Sequence, residues 1–191
     1  MYLVLDCETT GLPRNWKAPV TDLDNWPRAI QIAWSLFDPS DAHLESAAYL
    51  VRPDGFVIPE DVQRIHGIST ERALAEGKKL SEVLQEFSKA IARSQVVVAH
   101  NLRFDESVLS AEYHRLRLQP PFVGKRRICT MMQSTDFCKI PGTYGYKWPT
   151  LSQLHQQLFN RGYEEAHDAG ADVAACARCF FELKRLRIIS F

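Results

Sequence analysis

The period of the apolar positions changes partway along the chain, and that change orders the elements. Residues 2–5 form an unbroken apolar run of the kind found in a strand covered on both faces. Across residues 29–37, Ile30, Ile32, Trp34 and Leu36 alternate with Gln31, Ala33 and Ser35, and residues 47–51 predict a third strand before Pro53-Asp54-Gly55 turns the chain. The start therefore reads as a three-strand meander. Helical spacing then takes over, with short helices near 59–66 and 70–75 and a longer one through Leu80, Val83, Leu84, Phe87 and Ile91. Residues 95–99 predict a further buried strand, 104–116 a helix, 126–129 a short strand, 151–159 a helix and 168–186 a closing helix. The order β-β-β-α-β-α-β-α predicts an α/β protein with a mixed sheet flanked by helices. Residues 13–27 and 141–149, rich in turn residues and aromatics, resist assignment.

Composition narrows this picture. A chain of 191 residues, 46% apolar and 24% charged, is expected to fold as a single domain over 1–191. No window reaches membrane-spanning length, and Met1 is followed by only a short apolar run before Asp6, so neither a membrane anchor nor a signal peptide is expected. Five scattered cysteines, an odd number, predict reduced thiols and a cytoplasmic protein, or a nuclear one in a eukaryote. Cys176 and Cys179 form a C-x-x-C inside the closing helix with no second pair, which predicts small core residues in place of a zinc or redox site. The formal net charge is zero, so any nucleic-acid contact is expected to be short and local. The basic runs at 125–127 and 184–187 read as solvated faces, and His43, His114 and His155 as surface or packing residues.

The candidate chemistry lies in the carboxylates. Asp6 and Glu8 stand two residues apart at the end of the first strand, so both side chains share a face. Two such charges repel, and either one takes up a proton or a cation sits between them. Asp105 shares a helical stripe with Val108, Leu109, Tyr113 and Leu116, which points it inward, although an aspartate in a first turn is also favoured by the helix dipole. Asp172 enters the closing helix one turn ahead of an apolar stripe, with His167 left just outside that helix. Together these residues have the inventory for two divalent metal ions. Oxygen ligands suit Mg2+ or Mn2+, a two-metal site promotes in-line phosphoryl displacement, and a neighbouring histidine can take a proton from water.

Three motifs in order then resemble the DnaQ-like 3′→5′ exonucleases of the DEDD type ending in histidine, within the ribonuclease-H-like superfamily. Residues 6–11 (Asp-Cys-Glu-Thr-Thr-Gly) resemble the first motif, 100–105 (His-Asn-Leu-Arg-Phe-Asp) the second, and 167–172 (His-Asp-Ala-Gly-Ala-Asp) the third. The resemblance implies a five-stranded ribonuclease-H-like sheet. It also implies that Asp6, Glu8, Asp105 and Asp172 bind two Mg2+ or Mn2+ ions, that His167 is the general base, and that nucleoside 5′-monophosphates leave a single-stranded DNA or RNA 3′ end. Thr9, Thr10 and Leu12 are implied to hold the last nucleotide, with His66, Asn101 and Phe104 as further substrate contacts. Relatives associate with a DNA polymerase or form homodimers, and either partner is compatible with this chain.

The 13–27 segment is longer than the corresponding link in many members and carries Trp16, Lys17 and Trp26. Such aromatics stack bases or, more commonly, pack on the protein body, and the same choice applies to Tyr144, Tyr146 and Trp148. No motif encodes a choice between DNA and RNA. Two rival readings are a phosphomonoesterase using Asp6 as a nucleophile and a non-catalytic nucleic-acid-binding module. The first leaves Asp105, His167 and Asp172 without roles; the second predicts losses from the metal and base set, and none is seen.

Overall fold

A computed structural model describes residues 1–163 and 167–189. Five strands, β1 (Tyr2–Thr9), β2 (Ala29–Phe37), β3 (His43–Leu50), β4 (Val96–Ala99) and β5 (Arg126–Cys129), form one sheet in the order β3-β2-β1-β4-β5. β1 pairs antiparallel with β2 and parallel with β4, so it lies at the centre of the sheet. That position explains its apolar run: Leu3, Val4 and Leu5 have no exposed surface.

The helices are α1 (Glu60–His66), α2 (Thr70–Glu76), α3 (Leu80–Arg93), α4 (Leu102–Arg115), α5 (Thr130–Gln133), α6 (Thr135–Cys138), α7 (Leu151–Phe159) and α8 (Ala169–Arg185). Val83, Leu84 and Phe87 of α3 and Val108 and Leu109 of α4 pack with Leu3, Leu5 and Cys7 on one face of the sheet. On the other face, Leu154 of α7 and Val173, Cys176 and Phe180 of α8 pack with Val4, Val98 and Ile128. The expected mixed sheet flanked by helices is present, with the first three strands as a meander.

The differences from the expected elements have local causes. β1 continues through the carboxylates to Thr9, because Cys7 and Thr9 are still buried and paired with β2. β3 begins at His43, before the predicted start at residue 47; as an edge strand with a solvent-facing row, it carries too few apolar residues there to register. Residues 141–149 contain the hairpin β6 (Pro141–Gly142) and β7 (Gly145–Tyr146), too short for any periodicity. Within 13–27, Asn25 organises an irregular loop by accepting from the Asn15 N–H at 2.7 Å and donating to the Asn15 carbonyl at 3.0 Å. Trp26 packs on the body and donates to the Pro19 carbonyl, whereas Trp16 is 40% exposed and lies against Phe104. Tyr144, Tyr146 and Trp148 all remain exposed.

Cys176 and Cys179 are buried free thiols, as expected of core residues. Within the basic runs, Arg127 forks onto Glu106, Lys184 meets Asp41 and Arg185 meets Glu182. Among the described residues, no helix is long and apolar enough to cross a membrane.

Candidate active site

Alternation along β1 sends Leu3, Leu5 and Cys7 toward α3 and α4 and Val4 toward α8, which places Asp6 and Glu8 on the α8 face. Beyond Glu8 the register with β2 shifts, and Gly11 carries the chain out of the sheet with φ +138°, a backbone that other residues rarely adopt. The exit is pinned: the Thr9 hydroxyl donates to the Gly11 carbonyl at 2.7 Å and the Thr10 hydroxyl accepts from the Arg28 N–H at 2.9 Å.

Asp105 arrives from the other side of the sheet. Asn101, in the left-handed region that asparagine tolerates, starts α4 so that its first turn abuts the end of β1. Asp105 is 2% exposed, and its Oδ1 accepts from the Cys7 N–H at 3.1 Å and the Cys7 thiol at 3.2 Å. Asp172 stands in the first turn of α8, where the Tyr163 hydroxyl donates to Oδ1 at 2.6 Å and the His167 N–H to Oδ2 at 3.3 Å. The start of α8 is fixed by Asp168, which caps it by accepting from the Ala171 N–H, and by Gln31, which pairs across the sheet from Glu8. The Gln31 amide donates to Asp168 at 2.8 Å and accepts from the Ala169 N–H at 2.9 Å.

These elements bring the four carboxylates into one electrostatic cluster. Burial, then the charges of Asp105, Asp172 and Glu8, push the Asp6 carboxyl well above the usual range. Burial, then Asp172 and Asp105, push Glu8 up to about 8. Burial also raises Asp105 to about 7 against the opposing Cys7 hydrogen bonds, and raises Asp172 against those from Tyr163 and His167. Among the described residues, no lysine or arginine forms an ion pair with any of the four. The missing counter-charge is one that divalent cations from solution would supply, and the all-oxygen donor set fits Mg2+ or Mn2+. A carboxylate oxygen of Glu8, a ring nitrogen of His167 and a carboxylate oxygen of Asp172 lie within 4.8 Å of one another. His167 is exposed and adopts φ +72°, which turns the chain immediately ahead of α8.

Five of the implied substrate residues, Thr9, Thr10, Leu12, Asn101 and Phe104, lie within four residues of Glu8 or Asp105 along the chain. His66, at the end of α1, accepts from the Ile68 N–H through Nδ1, and its buried Nε2 has no partner among the described residues. Burial, then the charge of His167, lowers its pKa. Phe104 packs on Trp16 at 5.7 Å beside Asp105, and Leu12 is 71% exposed just past the β1 exit. Asn101 is half-buried where β4 passes into α4. His100 is a structural pin: it bridges Thr130 and the Pro149 carbonyl, and burial holds its pKa down to about 4.

Sequence reasoning missed Gln31, Tyr163 and the Cys7 thiol as supports of the carboxylates. Gln31 did leave a signal, a polar residue on a buried strand directly opposite Glu8. Tyr163 left none, because it belongs to an irregular segment.

Comparison with known proteins agrees with this fold and gives the family. The RNase_T family, described as exonuclease, matches residues 3–180. The 3'-5' exonuclease DinG of Bacillus subtilis is 26% identical over 193 aligned positions, covering 100% of this chain and 18% of that protein. The DNA polymerase III subunit epsilon of Treponema pallidum is 30% identical, covering 94% of this chain and 74% of that protein. Among solved structures, E. coli Exonuclease I in complex with a dT13 oligonucleotide superposes with a TM-score of 0.76 at 20% identity, over 97% of this chain and 42% of that one, a likeness of fold. The chain thus spans less than a fifth of DinG, less than half of Exonuclease I and about three-quarters of the epsilon subunit. Because the family match runs from the first strand into the last helix and takes in all three motifs, this chain belongs to the RNase_T exonuclease family.

Proposed function

We propose that the chain is a 3′→5′ exonuclease that hydrolyses the terminal phosphodiester of single-stranded DNA or RNA and releases nucleoside 5′-monophosphates. The observation that carries this reading is the cluster of Asp6, Glu8, Asp105 and Asp172, without a lysine or arginine partner among the described residues and with His167 beside Glu8 and Asp172. The four carboxylates would hold two divalent ions, which when bound offset the phosphate charge and raise the acidity of water.

The remaining steps fall to this chain's own side chains. His167, on the exposed rim, takes a proton from the attacking water, and an imidazole is suited to that task near neutral pH. The oxygen of that water bonds to phosphorus as the bond to the 3′ oxygen breaks. The products are a 5′-monophosphate and a strand with a new 3′-hydroxyl. Thr9, Thr10 and Leu12 line the place of the last nucleotide, His66 offers its unpartnered Nε2 to it, and Asn101 and the Phe104–Trp16 pair flank it. The Tyr163 hydroxyl and the Gln31–Asp168 pair hold Asp172 and the α8 terminus in place.

Exonuclease I was solved with dT13, which supports a single-stranded substrate, and the Treponema relative is a polymerase subunit, which supports a polymerase partner; a homodimer is the other assembly to test. The test is digestion of 5′-labelled single-stranded DNA and RNA oligonucleotides with Mg2+ or Mn2+, beside an EDTA control. A metal-dependent ladder shortening from the 3′ end is the expected result. Hydrolysis of p-nitrophenyl phosphate in preference to either oligonucleotide would overturn it.

A further inference from the structure

The chain has no net charge, yet one groove beside the site is strongly basic. It consists of two adjoining cavities, of about 400 and 480 Å³, that share Arg28 and Arg115 in their linings. The first opens at Thr10 and Leu12, where the β1 exit leaves the catalytic cluster, and includes Arg14 and Phe56. The second continues to Arg52 and Lys79.

Some cations elsewhere on the surface are paired. Arg127, Lys184 and Arg185 are each engaged by a carboxylate. Arg14, Arg52 and Lys79 make no side-chain hydrogen bond or ion pair among the described residues, although Asp24 and Asp54 also line the groove. Arg28 and Arg115 are held from behind by Glu112, and the Arg28 guanidinium lies 4.3 Å from the centroid of the Phe56 ring. Five cationic side chains against two acidic ones thus line two adjoining cavities, the first of which lies where the chain leaves β1.

We propose that this groove holds the sugar-phosphate backbone of the substrate strand upstream of its terminal nucleotide, with Arg14, Arg52 and Lys79 as its phosphate contacts. The inference rests on the exonuclease reading and deepens it. Unpaired cations lose few protein contacts on meeting a phosphate, and their neutralisation releases counterions from the strand. The aromatic wall formed by Phe56 under Arg28 accommodates a base without selecting its sequence. The groove accordingly makes the enzyme prefer long single strands to dinucleotides through KM.

The decisive experiment compares wild type with the Arg52→Ala/Lys79→Ala double variant on a dinucleotide and on a single strand of about 20 nucleotides, long enough to enter the groove. For the long strand, KM should rise about tenfold with kcat unchanged, and the slope of log(kcat/KM) against log salt should become shallower by about 1.4, at roughly 0.7 per single-strand phosphate contact. Dinucleotide turnover should be unaffected, and Arg52→Lys/Lys79→Arg should restore the long-strand KM. An unchanged long-strand KM, or an equal loss on both substrates, overturns the groove. If wild type cleaves neither substrate, the exonuclease reading fails instead. Equilibrium binding of the long strand then decides the groove separately: equal affinity in wild type and variant overturns it, and weaker binding in the variant supports it.

Discussion

Asp105 and Glu112 lie two turns apart on the same face of α4, at 2% and 0% exposure, and their surroundings are opposite. Glu112 accepts from the Arg28 Nε at 2.9 Å and the Ala29 N–H at 2.9 Å, and pairs with Arg115 at 3.2 Å. Among the described residues Asp105 accepts from the N–H and thiol of Cys7 and from its own backbone N–H, and its neighbours are three more carboxylates. A buried charge with cations of its own ties elements together; one surrounded by like charges raises the energy of the fold until something positive binds. The first arrangement closes the 10–28 loop against α4, and the second assembles the carboxylate cluster.

The largest effect expected from this contrast is on turnover. Asp6→Ala or Asp172→Ala should lower kcat about a thousandfold or more, since a lost metal ligand removes several kcal/mol of charge stabilisation. Circular dichroism should show an intact fold, and near-wild-type turnover in either variant would break the assignment. Next in size is a stability effect that the catalytic cluster should not share. Glu112→Ala leaves two arginines without their partner and should cost about 3 kcal/mol in urea denaturation, whereas Asp105→Asn, which removes a repelled charge, should be neutral or stabilising. Equal destabilisation by both would erase the distinction.

A smaller loss, about a hundredfold in kcat, is expected of His167→Ala with divalent-ion affinity retained by calorimetry, and a pH–rate profile unchanged from wild type would remove His167 as the base. The least effect concerns the metal-free protein. Because folding raises the pKa of Glu8 from 4.5 to about 8 and of Asp105 from 3.8 to about 7, the folded state binds these protons more tightly than the unfolded one. Their stabilisation is full below about pH 4 and is lost as pH climbs to 8, so the melting temperature should fall by a few degrees between pH 5 and 8. Divalent ions should reverse that fall, and a pH-independent, metal-independent melt would show that the cluster is not coupled in this way.

The legibility of each part of the molecule followed from how local its cause was. Asp6 and Glu8 could be placed on one face because the period of a strand is two, and Asp105 could be turned inward by its stripe on α4, since both facts depend only on nearby residues. Glu112 occupies an equally inward position seven residues later and escaped notice, because its partners Arg28 and Arg115 become partners only when the 10–28 loop folds back. Trp16 and Trp26 had the same prior within one loop; Trp26 found a buried slot and Trp16 did not.

The amino-acid sequence by itself determined the main strands and helices, the three motifs that carry the carboxylates and histidine, and the family to which those motifs point, because each is encoded within a few residues of chain. The tertiary structure decided which faces meet: that Asp105 reaches the cluster from the opposite side of the sheet, that Gln31 locks the start of α8, and that cations distant in sequence line one groove. Such pairings depend on side chains brought together by packing across the sheet, and the local pattern of apolar and polar positions contains no measure of those distances.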